Sequence, residues 1–299
     1  MSVVFLLGAG ASYGSGEANP YPPPLGAGLI SELRDCSGAA ARIPPALLSI
    51  FEKNFEEGMS RFREERDTET TELLRDMSAY FAQFSPGPTN LYHKFVSIIR
   101  RSARTPTIAT TNYDLMLEQA ITRAGLLIAY AGHPVPRNNI SLLKIHGSCN
   151  FLPDVEANAM SGVTFSGNGA NFEGPLRIAR STMEIAEFCR NQDSLAPAIA
   201  VYSPGKKVLF CPSFVARQQE QWREEVAGAR RIYVIGMRVL PSDNHIWNVL
   251  AQSRARLYYV GMEPNEFLAW AETAQRRDVF AIAQTFADAL PILTRQVRD

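Results

Sequence analysis

From Val208 to the last residues the chain alternates short β-favouring runs with helical stretches, and this rhythm limits the possible folds more than any other feature. The runs are Val208–Cys211, Arg231–Ile235, Leu257–Val260 and Val279–Ile282. Between them, helices are predicted over Val215–Gly228, near Asn244–Ala255 and over Pro264–Arg276, with a last one at the end. Strands separated by helices of ~10–15 residues cannot pair as hairpins, so they imply βαβ units. The fold class predicted is α/β, a Rossmann-like parallel sheet with helices on both faces. Val3–Leu7, an apolar run ending in glycines, reads as a buried strand of that sheet.

The rest of the chain is organised around this body. Residues 8–28 are rich in glycine and proline and read as a long loop of the kind that usually carries function. Residues 25–104 read as a helical module inserted after the first strand, with helices over Pro44–Phe55 and Ser60–Phe84. Thr107–Thr110, Leu126–Ala131 and Leu142–Ile145 are further strands, and Asn112–Ala124 is a helix stopped by Gly125. Residues 150–205 read as an irregular insertion with one helix near Thr182–Cys189. The whole, 1–299, is expected to be a single domain of this type.

Composition removes several classes of function. Thirty basic residues balance thirty acidic ones, so the total charge carries no nucleic-acid signal. Cys36, Cys149, Cys189 and Cys211 form no Cys-x-x-Cys pair, so no zinc ribbon is expected and no metal site is assigned. Scattered thiols suit a reducing, cytoplasmic setting. The apolar start is preceded by no Lys or Arg and is too short for a signal peptide, and no run reaches membrane-spanning length.

Chemistry-bearing residues gather at predicted strand ends, where open α/β sheets hold ligands. Gly8, Ala9, Gly10, Ala11 and Ser12 follow the first strand directly. They read either as a plain tight turn or as a place where backbone approaches a dinucleotide. Gly14 falls one place late for the dehydrogenase fingerprint. Thr110, Thr111, Asn112, Tyr113 and Asp114 close the next strand. Asn112 or Asp114 could simply cap a helix; alternatively the amide could align a sugar hydroxyl or water, and the carboxylate could stabilise a cationic ring. His146, among four histidines, stands at a strand end with Gly147 beside it, which leaves an imidazole accessible as a general base. Gly236 and Glu263 sit at two later strand ends, where Glu263 reads as a ribose ligand or a first-turn helix acid.

Taken in order, Gly-Ala-Gly-Ala-Ser at 8–12, Thr-Thr-Asn-Tyr-Asp at 110–114 and Lys-Ile-His-Gly-Ser at 144–148 resemble the sirtuin-like superfamily. With Pro22-Pro-Pro-Leu-Gly before the first long helix, the chain looks like the bacterial sirtuin-like NAD-cleaving branch. The resemblance implies NAD+ as substrate, lined by Gly8–Ser12, with Asn112 and Asp114 around the nicotinamide ribose and His146 as catalytic base. It further implies NAD+ hydrolysis in anti-phage defence, with control by homo-oligomer assembly or a partner ATPase. The chain departs from the protein deacylases in lacking both Cys-x-x-Cys pairs. It also has Gly236-Met237-Arg238 where they carry Gly-x-Ser, and Val260-Gly261 where they carry Ile-Asn. Deacylation or ADP-ribosyl transfer, a cyclase outcome and a silent NAD- or ADP-ribose-sensing module are the rival readings.

Overall fold

The computed structural model describes residues 2–102, 105–131, 139–154, 163–166, 169–191, 194–200, 208–240 and 243–296. In chain order these form β1 (Ser2–Leu7), α1 (Ala9–Tyr13), β2 (Ala18–Asn19), α2 (Gly26–Asp35), α3 (Pro45–Lys53), α4 (Phe55–Glu65), α5 (Asp67–Ala82), β3 (Ser85–Pro86), α6 (Leu91–Arg100) and β4 (Thr107–Thr110). They continue with α7 (Met116–Arg123), β5 (Leu127–Ala129), β6 (Asn139–Lys144), β7 (Phe151–Pro153), β8 (Val163–Ser166), β9 (Gly169–Phe172), β10 (Leu176–Ile178) and α8 (Thr182–Asn191). The chain ends with α9 (Pro212–Gly228), β11 (Ala229–Ile235), α10 (Asn244–Gln252), β12 (Arg256–Val260), α11 (Pro264–Thr273), β13 (Val279–Ala283) and α12 (Phe286–Gln296).

Seven strands form one sheet in the order β13-β12-β11-β1-β4-β6-β5. Every pairing in it is parallel. The fold is therefore α/β and Rossmann-like. Strand β1 shows why both faces carry helices. Val4 and Leu6 pack with Trp222 of α9, Trp247 of α10 and Phe267 of α11. Val3, Phe5 and Leu7 face the opposite cluster, with Phe95 of α6, Met116 of α7 and Phe286 of α12. A strand buried on both faces needs a continuous apolar run, and Val3–Leu7 supplies one.

The strand order also fixes where a ligand crevice lies. The chain leaves β1 towards β4 and leaves β11 towards β12, in opposite directions across the sheet. The carboxyl ends of β1 and β11 thus flank the topological switch point, the place where open sheets leave a crevice. Gly8 and Gly236 are the first residues past those two ends.

Several local readings change. The predicted strand Val208–Cys211 is not in the sheet: Phe172 donates its N–H to Leu209 O, Cys211 donates to Phe172 O, and Cys211 turns to φ 48°. The backbone of this β-favouring run is satisfied by local bridges before Pro212 starts α9. The helix predicted over Ser60–Phe84 is interrupted at Arg66, with φ −138° and ψ 45°, because α4 and α5 pack as separate rods. An apolar period does not reveal a one-residue break.

The glycine- and proline-rich segment contains the short helix α1 and the strand β2, which pairs with β3. It is docked on its own chain: Asn90 Nδ2 donates to Ser15 Oγ and Glu17 O, and Thr89 donates to Glu17 Oε2. Within 150–205, β7 pairs with β10 and β8 with β9, while residues 155–162, 167–168, 192–193 and 201–207 lie outside the described residues. So do His133, Pro241 and Ser242. No helix among the described residues is long and apolar enough to cross a membrane.

Candidate active site at the carboxyl edge of the sheet

The two glycine turns are built against each other. Gly8 N–H donates to Ile235 O at 2.9 Å and Gly10 N–H to Gly236 O at 2.9 Å. A Cβ on Gly236, at φ +68°, would lie 2.1 Å from Ala11 N, and one on Gly8 would lie 2.6 Å from Gly236 O. The glycines are thus required first by the close approach of two turns. Ala11 N–H is engaged as well, by Gly8 O at 2.9 Å. The N–H groups of Gly8, Gly10 and Ala11 are therefore committed to backbone carbonyls, and what this turn offers a ligand is the absence of bulky side chains. Ala9 is exposed at its surface, and Gly10, Thr111 and Gly236 are half-buried.

Asn112 is fastened to this turn. Its Nδ2 donates to Gly8 O at 3.0 Å and to Ser12 Oγ at 2.9 Å. Ser12 Oγ in turn lies 2.9 Å from Tyr92 OH on α6. Burial, with the Asp114 charge second, holds the Tyr92 phenol well above its usual range, so it stays a neutral hydroxyl. Thr110 Oγ1 supports the same loop, donating to Leu7 O at 2.9 Å and accepting Asn112 N–H at 3.0 Å. Asn112 Oδ1 is buried and, among the described residues, accepts no hydrogen bond. A buried amide with both donors placed and its acceptor unused is an unusual arrangement, because orphaned acceptors are costly.

The loop carrying Asn112 is longer than the sequence reading allowed. Helix α7 starts at Met116 rather than at residue 112, and Asp114 Oδ1 accepts the Met116 N–H at 3.0 Å. Asp114 is placed as a helix cap. Below it, the fully buried Lys144 donates to Asp114 O at 2.7 Å and pairs with Glu118 Oε1 at 2.9 Å. Burial raises the Glu118 carboxyl and the Lys144 ammonium opposes that rise. Glu118 gave no signal in the sequence, because a glutamate inside an amphipathic helix looks solvent-facing.

His146 follows β6, beside β4; Thr110 and Lys144 are register partners, so Asn112 and His146 stand at matching positions past adjacent strand ends. Gly147 does not expose the imidazole. His146 is 3 % exposed, and Gly147 is there because φ is +79° and Ala198 O would lie 1.9 Å from a Cβ. The ring faces a second histidine: His146 Nε2 is 2.8 Å from His245 Nε2, and 4.0 Å from Asp243 Oδ1. Neither Asp243 nor His245 was singled out from the sequence. Their only signal is Asp-x-His immediately before a predicted helix, following a strand end.

Glu263, exposed, begins α11 after the adjacent strand β12 and makes no side-chain cap bond. Arg238, in the turn after β11, pairs with Glu266 of α11 at 2.8 Å on the surface. Gly261 leaves space filled by the Tyr259 phenol, which donates to Met237 O at 2.8 Å.

Residues 106–165 match the family described as SIR2-like domain. The matched stretch carries Thr110, Thr111, Asn112, Asp114 and His146, from β4 through β6 and β7. No curated protein matches the chain. Among solved structures the chain is similar to a mutant Sir2 homologue in complex with ADP-ribose, at 16% identity and TM-score 0.48, covering 99% of this chain and 92% of that one. It is also similar to a Sir2 homologue in complex with NAD, at 18% identity and TM-score 0.46, covering 99% of this chain and 89% of that one. The fold assignment rests on the strand order itself rather than on these distant likenesses.

Proposed function

We propose that this chain is a sirtuin-like enzyme that hydrolyses NAD+ at the nicotinamide–ribose bond, releasing nicotinamide and ADP-ribose. The observation that carries the reading is the fixed Asn112 amide, whose unused Oδ1 lies beside the paired glycine turns at the switch point. The SIR2-like match over 106–165, which contains both Asn112 and His146, supports it. NAD+ fits the residues present in two respects: turns at 8–10 and 236 that carry no side chain larger than the Ala9 methyl, and an orphaned acceptor suited to a ribose hydroxyl or a water.

The chemistry asks little beyond positioning. Nicotinamide is cationic while attached and neutral once released, so the barrier lies in the oxocarbenium ion left on the ribose. In this reading Asn112 Oδ1 orients the ribose or the attacking water, and His146 accepts the proton given up by that water or hydroxyl. Asp114, committed to the α7 cap, acts by holding the loop and by its negative charge. Thr110, Thr111 and Ala9 line the same edge, and Glu263 is the candidate for the adenosine side.

Cytoplasmic anti-phage defence, with activity gated by self-assembly or a partner ATPase, belongs to the same proposal and rests on the sequence resemblance alone. One specific contact favours a second reading, a module that binds NAD+ without turnover: the Nε2 of His146 is occupied by His245. Incubation with NAD+ over a protein concentration series, with chromatographic separation of products, tests both. Nicotinamide and ADP-ribose in equal amounts, with His146→Ala slowed ~10²–10⁴-fold, is the expected result. Unchanged turnover in that variant removes the base assignment. Tight calorimetric binding with no product at any concentration selects the silent module, and cyclic ADP-ribose selects a cyclase.

A further inference from the structure

We infer that His146, His245 and Asp243 form a binding site for a divalent transition-metal ion, with zinc the best-suited class. One ligand atom from each of the three lies within 4.8 Å of the others. The nitrogen pair is 2.8 Å apart and His146 Nε2 is 4.0 Å from the carboxylate oxygen. Four-coordinate zinc, with bonds of ~2.0–2.1 Å, places its ligand atoms ~3.3 Å apart. The two measured separations straddle that value. To close on an ion the rings part by about 0.5 Å and the carboxylate moves in by about 0.7 Å.

The supports of the three residues allow such a shift. His146 is held rigidly: it follows β6, its carbonyl accepts Ala200 N–H at 2.8 Å, and Gly147 is locked against Ala198. Asp243 and His245 instead come from one short segment at the start of α10, two residues apart, so rotations of these two side chains adjust both separations against a fixed partner. His245 is half-buried, which leaves a path for an ion, while His146 and Asp243 are buried.

The donor chemistry agrees. Two neutral imidazoles that meet through Nε2 share one hydrogen there, so the donor ring carries its only N–H on Nε2; when an ion enters, that ring shifts its hydrogen to Nδ1 through exchange with solvent, and both rings give an Nε2 lone pair to the metal. The neutral pair loses no proton in the change. Two imidazoles and one carboxylate leave a fourth position for water, a set that suits zinc and its neighbours better than calcium or magnesium. Cys36, Cys149, Cys189 and Cys211 are outside the group.

Binding itself does not depend on the proposed NAD+ chemistry; only its consequence rests on that reading. An ion here takes the lone pair with which His146 would act as base, so metal and turnover exclude each other.

The test is a titration of cobalt(II) into the metal-stripped full chain, followed by visible absorption and by displacement with zinc. One equivalent should give a saturable d–d band without a sulfur-to-cobalt charge-transfer band. His245→Ala should abolish it, and Asp243→Asn should weaken binding by more than ~10-fold, each variant being checked for native circular dichroism. No saturable band, a thiolate charge-transfer signature, or a band that survives His245→Ala overturns the site. Asp243→Asn keeps the question decidable should His245→Ala fail to fold. A parallel assay follows NAD+ cleavage with and without zinc. If the wild-type protein never cleaves NAD+, the proposed function fails, and the cobalt spectrum still decides the metal site.

Discussion

Asn112 Nδ2 donates to Ser12 Oγ at 2.9 Å across a sequence separation of 100 residues, and so ties the loop after β4 to the turn after β1. The same nitrogen holds Gly8 O, and Ser12 passes the network on to Tyr92. Replacing Asn112 by alanine leaves two buried partners short of a hydrogen bond. The expected cost is ~1–3 kcal/mol in urea unfolding, together with loss of NAD+ cleavage. Asn112→Asp should do no better, since a carboxylate facing Gly8 O repels where the amide donated. An unchanged unfolding midpoint in both variants would contradict the network.

Gly236, like Gly147, has no room for a side chain. A Cβ there would meet Ala11 N at 2.1 Å and Gly10 C at 2.5 Å, on a backbone at φ +68°. Both neighbours are main chain, so nothing swings aside. Gly236→Ala should cost more than ~3 kcal/mol, since left-handed strain and a backbone clash add. Gly125 is the control: φ is +73° but nothing lies within 4 Å of its Cβ position. Gly125→Ala should cost only ~1–2 kcal/mol. Thermal unfolding of the two variants gives the order directly, and equal costs would refute the packing argument.

Lys144 and Glu118 form a buried pair at 2.9 Å, beneath the loop that carries Asn112. Lys144→Met strands the Glu118 carboxylate and removes the donor to Asp114 O, with an expected loss of ~3–5 kcal/mol. The double variant Lys144→Met/Glu118→Leu should recover most of that stability, because an apolar pair needs no partner. It should not recover NAD+ cleavage, since loop 111–115 has still lost its anchor. A double variant no more stable than the single one would show that the pair is not acting as a unit.

Among the cysteines, Cys36 is exposed, Cys189 half-buried, and Cys149 and Cys211 buried. Burial pushes Cys189 and Cys211 up to about 12 and Cys149 well above the ordinary thiol value. Iodoacetamide near neutral pH should therefore label Cys36 first, and the other three only after unfolding, as read by intact mass. The unfolded thiols lose their protons first, so stability is unaffected below about pH 9 and falls as pH rises towards about 12. Rapid native labelling of Cys149 or Cys211 would refute the burial.

Much of the sheet could be read in advance, for a local reason. Val3–Leu7, Thr107–Thr110, Arg231–Ile235 and Leu257–Val260 are short apolar runs bounded by turn residues, and strands buried on both faces need little else. Val208–Cys211 has the same composition and is not in the sheet, because its pairing is settled by Phe172. The break at Arg66 and the late start of α7 escaped because periodicity carries no information about single-residue turns. At the candidate site, Asn112 and His146 were visible as polar residues at strand ends. Asp243 and His245 were not, since nothing near them in the chain marks them as neighbours of His146.

The amino-acid order by itself determined the layer architecture, for burial on two sheet faces leaves its mark in the residues of the central strands, β1 and β4 above all. Which turns meet was decided only by the tertiary structure. The crossing of the chain from one side of β1 to the other sets Gly236 against Gly10 and His245 against His146. Those contacts join residues roughly a hundred or more apart, and no local preference along the chain encodes a pairing made through space.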